Sequence, residues 1–122
     1  MRHGSESTTA KGRRGEEAAS AYLEQKNYRI LERNFKCRHG EVDIIAVRDD
    51  SVAFVEVKSW ERMPITELDR VVDARKRRRL RLTSQAYLQR YPVLATFRRR
   101  YELLFLADGG RTVRHMTVAV GE

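Results

Sequence analysis

Two short runs, Gly40-Glu41-Val42-Asp43-Ile44-Ile45 and Phe54-Val55-Glu56-Val57-Lys58, decide what this chain can become. Each is apolar and rich in β-branched residues, with charges at every second position, which is the pattern of a β-strand. Asp49-Asp50-Ser51 between them carries turn chemistry, so the pair reads as a β-hairpin. Side chains two apart on a strand share a face. Glu41 and Asp43 therefore project together, as do Glu56 and Lys58, while Val55 and Val57 point the other way into a core. Neighbouring strands lie roughly 4.8 Å apart. If the two charged faces coincide, three carboxylates and one ammonium meet on apolar sheet, at a desolvation cost that a divalent metal ion would offset. A Glu-x-Lys pair alone is commonly an edge ion pair of little energetic weight. Adding Asp43 and Glu41 from the adjoining strand turns the balance toward a functional site.

The rest of the chain frames this hairpin. With 122 residues, 41% of them hydrophobic, it suits one domain with a modest core, expected over residues 12–122 behind a disordered tail at 1–11. No apolar run is long enough to span a membrane, and the polar start from Met1 to Thr9 lacks the apolar segment of an export signal. The lone Cys37 fits a reducing compartment, so a cytoplasmic location is expected. A short amphipathic helix follows Gly12 and Gly15, burying Ala18, Ala19, Tyr22, Leu23 and the stem of Lys26. Of its first-turn acids, which the helix dipole favours, Glu16 lies at the edge of the buried face and can lean toward the acidic hairpin; Glu17 faces water. Asn27-Tyr28 ends this helix, and Tyr28–Cys37 reads as the first strand. Arg38-His39-Gly40 is a turn, its His39 beside the acids as a minor candidate for a ligand or phosphate contact.

After Lys58, the segment Ser59-Trp60-Glu61-Arg62-Met63-Pro64 reads as a loop. Thr66-Glu67-Leu68-Asp69 then has capping-box spacing, and a helix is expected from there to about Tyr91, stopping before Pro92. Its buried stripe would be Leu68, Val71, Val72, Leu80, Ala86, Tyr87 and Leu88. Arg100–Ala107 and Thr112–Val120 form a final pair of strands across the Asp108-Gly109-Gly110 turn. The order is α-β-β-β-α-β-β, an α/β class with a mixed sheet flanked by helices.

Charge points to a partner. The formal net charge is +8, and between Arg70 and Arg100 stand eleven Lys or Arg residues against one acid, Asp73. Arg75, Lys76, Arg77, Arg78, Arg79 and Arg81 crowd one helical stretch whose mutual repulsion a phosphate backbone would relieve. A polyanion is the expected partner, nucleic acid before anionic lipid. Joined to the carboxylates, this suggests hydrolysis of a phosphodiester assisted by Mg²⁺ or Mn²⁺, hard ions that take carboxylate oxygens and leave positions for phosphate. Asp43 and Glu56 would be direct ligands, with the Val57 carbonyl a third. Lys58 would position water or offset developing charge, and Glu41 and Glu16 would complete the shell, bind a second ion or orient waters. Cys/His spacing for structural zinc is absent.

Asp43…Glu56-Val57-Lys58 resembles the PD-(D/E)xK signature of restriction-endonuclease-like nucleases. More closely, the chain resembles the YraN-like family of small bacterial proteins through Gly12, Gly15-Glu16, Ala19, Tyr22-Leu23 and Arg33-Asn34. The likeness continues through Gly40-Glu41-Val42-Asp43, Phe54-Val55-Glu56-Val57-Lys58, Lys76, Leu80 and Ala86-Tyr87-Leu88, covering about residues 12 to 106. The resemblance implies a restriction-endonuclease-like fold akin to archaeal Holliday-junction resolvases, with Glu16 joining the metal site. DNA is the expected substrate before RNA, branched or junction DNA included, in recombination or repair, and by analogy with junction-cutting enzymes a homodimer is expected. Where that family has arginine and glycine after the lysine, this chain has Ser59-Trp60, and where it has Arg-Phe-Asp this chain has Arg100-Tyr101-Glu102. The other reading of the same residues is a module that binds nucleic acid on this fold without cleaving it.

Overall fold

A computed structural model describes residues 15–59 and 73–119. Helix α1 occupies residues 15–25 and is followed by strands β1 (Arg29–Cys37), β2 (Gly40–Arg48) and β3 (Ser51–Ser59). Helix α2 (Ala74–Arg90) leads through a 3₁₀ turn at Pro92–Thr96 to β4 (Arg98–Ala107), and a second turn at Asp108–Gly110 leads to β5 (Thr112–Val118). The α-β-β-β-α-β-β order is the expected one. The strands form one five-stranded sheet in sequence order, antiparallel except for the β3–β4 pair, which is parallel. A parallel neighbour requires a crossover, and α2 lies in it.

β3 is buried on both faces, which is why its sequence is nearly all apolar. Val52 and Phe54 join Phe35, Ile45, Leu80, Tyr87 and Tyr101 in the core beneath α2. Ala53 and Val55 join Ala19, Leu23, Tyr28, Ile44 and Leu104 beneath α1. The Ala46–Ala53 pair places two small side chains under α1. Under α2 the filling is aromatic: Phe54 stacks on Tyr101 with ring centroids 5.7 Å apart and meets the edge of Tyr87. Tyr101 also hydrogen-bonds Ser84 at 2.7 Å, so that face of the sheet holds α2 by both packing and a polar contact.

Local signals account for the ends. Asn27, at φ 72°, closes α1 while the Tyr28 N–H returns to the Leu23 carbonyl, a Schellman-type stop. A bulge in β1 between Ile30 and Glu32 leaves Leu31 out of register and explains its exposure. Gly110, at φ +94°, brings the β4–β5 turn so close to α1 that an added Cβ would lie 2.8 Å from that of Ala18.

The long helix differs from expectation. Asp73 is extended and caps the helix, its carboxylate accepting the Lys76 N–H, so α2 begins at Ala74 instead of running unbroken from Thr66. The expected capping box, Leu68, Val71 and Val72 fall outside the described residues, as do the 1–11 tail, Gly12, the Trp60–Pro64 loop and Val120. The buried stripe is Leu80, Thr83, Ser84, Tyr87 and Leu88; Ala86 is off phase and only half-buried. Lys26 is exposed, its ammonium 5.7 Å from the Tyr22 ring centroid. Among the described residues no helix is long and apolar enough to cross a membrane.

Candidate functional site

β2 and β3 pair from Arg48–Ser51 only as far as Ile44–Val55. Beyond that point they part: β2 continues beside β1 to the Cys37–Gly40 pair, and β3 beside β4 to the Ser59–Leu106 pair. Asp43 stands in the fork, where its Oδ2 accepts the Val57 N–H at 2.8 Å. A side chain thus occupies the place of the missing ladder partner, and a cleft opens beside it.

The cleft holds about 340 Å³ between the parted strands and the first turns of α2. Carboxylates from Glu41, Asp43 and Glu56 and cations from Lys58, Lys76 and Arg79 line it, with Gly40, Val57 and Leu80. Glu56 is 8% exposed, and a carboxylate so far from water needs charge partners. It has two on one oxygen: Lys58 Nζ lies 3.0 Å from Oε2, and Lys76 Nζ reaches the same atom from α2. Burial by itself would lower the Lys58 pKa; its hydrogen bond to Glu56 and the charges of Glu56 and Asp43 outweigh this and raise it.

Among the described residues no salt bridge to Asp43 is found, and Lys58 acts on it only at longer range. Burial first, then the charges of Glu56, Glu16 and Glu41, push the Asp43 pKa up to about 6, against the opposing Val57 hydrogen bond. A carboxylate held near the fork with an unmet demand for positive charge is a candidate ion anchor. Among the described residues no three His, Cys, Asp or Glu side chains are grouped closely enough to hold a metal ion. Among the described residues, then, at most two of the cleft carboxylates stand close enough together to share an ion, with backbone beside them. This fits a hard ion that keeps most of its waters, as Mg²⁺ does, and not a fully protein-caged one.

Glu41, Asp43, Glu56, Val57 and Lys58 all line the cleft and the Val57 side chain packs with the α1 core, but strict alternation breaks in β2, where Val42 joins Ile45 in the core beneath α2 and Ile44 packs beneath α1. Glu16 acts at longer range. It adds to the field on Asp43, but its Oε1 accepts from the Asn34 amide at 3.0 Å and it is not part of the lining. His39 also lies outside the lining, its Nε2 facing Arg38 Nε at 3.5 Å. The basic helix divides: Arg75, Arg77 and Arg78 are exposed, Arg81 is half-buried, Arg79 reaches the cleft mouth and Lys76 turns inward. Lys76, expected with the other cations of this helix to meet a phosphate backbone, is here paired with Glu56 of the acid cluster. The signal was its phase, four residues before buried Leu80, which puts both on one helix face.

Gly40 matters for a different reason. At φ +147° it favours glycine, and an added Cβ would sit 3.3 Å from Thr83 Oγ1. The start of β2 therefore lies directly against α2. Gly40→Ala is expected to cost about 1–2 kcal/mol, measured by urea unfolding, and to widen the cleft.

Residues 15–106 match the sequence profile described as "Uncharacterised protein family UPF0102". The chain belongs to this family. A UPF0102 protein of Chloroflexus aurantiacus is 40% identical over 114 residues, covering 91% of this chain and 92% of the relative. One from Rhodopseudomonas palustris is 40% identical over 96 residues, covering 79% and 72%. One from Syntrophus aciditrophicus is 60% identical over 48 residues, or 39% and 38% of the two chains. The match bears out the YraN-like resemblance, and its UPF0102 span contains every residue of the cleft.

Proposed function

We propose that this UPF0102 chain is a metal-dependent nuclease of the restriction-endonuclease-like, PD-(D/E)xK class, hydrolysing phosphodiester bonds in DNA, branched or junction DNA included. The observation that carries the reading is the fork: Asp43 and Glu56 from parting strands line one cleft, with Lys58 beside them. Asp43 and Glu56 would hold Mg²⁺ or Mn²⁺, with the Val57 carbonyl as a third donor. An ion there supplies polarisation of a phosphoryl oxygen and a more acidic bound water. Lys58, 37% exposed along its side chain, can reach a phosphate or a water in the cleft while its other protons stay on Glu56. Its positive charge would oppose the charge that develops on the phosphoryl oxygens. Glu41, exposed at the rim, would orient water, and Glu16 would tune Asp43 from a distance.

The exposed arginines extend the site into a binding surface. Arg75, Arg77 and Arg78 stand on the outer side of the helix that walls the cleft, so a duplex lying along α2 would bring its backbone to the carboxylates. Deleting one guanidinium that neutralises a phosphate should reduce the slope of log affinity against log salt by about 0.9. Arg77→Ala and Arg78→Ala are thus expected to weaken DNA binding about equally across sequences and flatten that slope, as read by fluorescence anisotropy from low to moderate salt.

The deciding experiment is a panel of plasmid, single-strand, flap and four-way-junction substrates with Mg²⁺ or Mn²⁺, with Asp43→Ala and Lys58→Ala as controls. Ion-dependent products lost in both variants support the reading. Products unchanged in Asp43→Ala, or salt-sensitive binding with no cut on any substrate, would replace it with contamination or with a binding module.

A further inference from the structure

Both ammonium groups on Glu56 use the same oxygen, Oε2, and this cannot persist once a dication is held by that carboxylate. Like charges would then be crowded within contact distance in a half-buried cleft, where screening is weak. One lysine has to leave. Lys58 is fixed two residues from Glu56 on β3, its backbone paired with Phe105 of β4. Lys76 sits in the first turn of α2, where the helix dipole repels a cation, and its sequence neighbours are Arg75, Arg77, Arg78 and Arg79. Of the acids among the described residues, Asp73 meets only the Lys76 backbone N–H as the helix cap, and Glu56 is the one its ammonium contacts.

We propose that Lys76 is an exchangeable counter-ion: it neutralises Glu56 in the ion-free protein and moves to the substrate phosphate when a divalent ion takes its place. Arg79, one turn further along, lines the same cleft, so the released ammonium and the guanidinium together face a phosphate entering from the α2 side. Lys76 is then a second active-centre lysine that couples ion entry to substrate grip. This rests on the metal-dependent reading above and adds to it which group competes for the ion site.

The test is a Mn²⁺ titration of the full chain without DNA, followed by electron paramagnetic resonance of free Mn²⁺, on wild type, Lys76→Met and Lys76→Gln. Removing the competing charge is expected to tighten Mn²⁺ binding about tenfold in both variants. DNA affinity in Ca²⁺ should fall at the same time. A lysine that only braces the fold would lower the melting temperature and leave Mn²⁺ affinity unchanged or weaker, which would overturn the proposal; Lys76→Gln keeps a donor for Glu56 and separates folding from charge. Wild type that binds no Mn²⁺ would instead overturn the metal-dependent reading, and the exchange with it.

Discussion

Asp43→Asn is expected to abolish cleavage, by about 10³-fold or more, and at the same time to make the ion-free protein more stable at neutral pH. The two effects have one cause. Asparagine keeps an oxygen for the Val57 N–H that Asp43 accepts, but removes a charge that burial and three neighbouring acids disfavour. With the pKa raised from 3.8 to about 6, the folded state holds this proton more tightly than the unfolded chain does. The stability from Asp43 is therefore fully present below about pH 4 and lost as pH rises through 6, the loss reaching about 2–3 kcal/mol at neutrality. Urea unfolding in EDTA should show the variant ahead of wild type at pH 7.5 and the gap closed near pH 4. A variant less stable than wild type at pH 7.5 would mean that Asp43 is structural. Divalent ions should raise the wild-type melting temperature and leave that of the variant unmoved.

Glu102→Ala is expected to do the reverse, costing about 3–5 kcal/mol of stability with no specific loss of activity per folded molecule. The Glu102 side chain is wholly buried on the α1 face, away from the cleft. It accepts from Arg100 Nε at 2.9 Å, from Tyr28 Oη at 3.1 Å, and pairs with His115 Nε2 at 2.7 Å. His115 Nδ1 in turn meets Tyr22 Oη at 3.1 Å, so one carboxylate ties α1 to β4 and β5. Burial would raise the Glu102 pKa, but the hydrogen bonds from His115, Arg100 and Tyr28 outweigh it and hold the carboxyl below its ordinary value. Its contribution is thus present above about pH 4.5 and lost as pH falls through the lowered folded value. Truncation leaves the Tyr28 hydroxyl and the His115 ring without their acceptor and a cavity beside them. Thermal unfolding of the variant at pH 7 measures the cost; a loss below about 1 kcal/mol would contradict this account.

These two acids show why part of the site was legible in the sequence and part was not. Asp43, Glu56 and Lys58 could be placed because strand alternation fixes which side chains share a face, and a two-strand unit needs little else. The role of Lys76 depended on a tertiary contact between the first turn of α2 and β3, which alternation does not encode; only its phase relative to Leu80 hinted at it. Glu102 stands in the sequence only as a strand residue and as part of the departure from Arg-Phe-Asp at Arg100-Tyr101-Glu102; its structural role was not legible, since its partners come from residues as distant as Tyr28 and His115. The element order followed from turn and capping residues. The start of α2 at Ala74 did not, because it is set by the extended backbone of Asp73 and its carboxylate cap on the Lys76 N–H, a signal missed in the sequence. Glu16 was placed correctly at the helix edge, but its amide partner Asn34 sits across the chain in β1.

The proposed function requires that the cleft lined by Asp43 and Glu56 hold a divalent ion. Counting Mn²⁺ bound per chain in the absence of nucleic acid tests it most directly. Saturable binding to wild type is expected, and it should disappear in both Asp43→Asn and Glu56→Gln while each variant remains folded. Binding that survives unchanged in either variant, or no saturable binding to wild type, would contradict it.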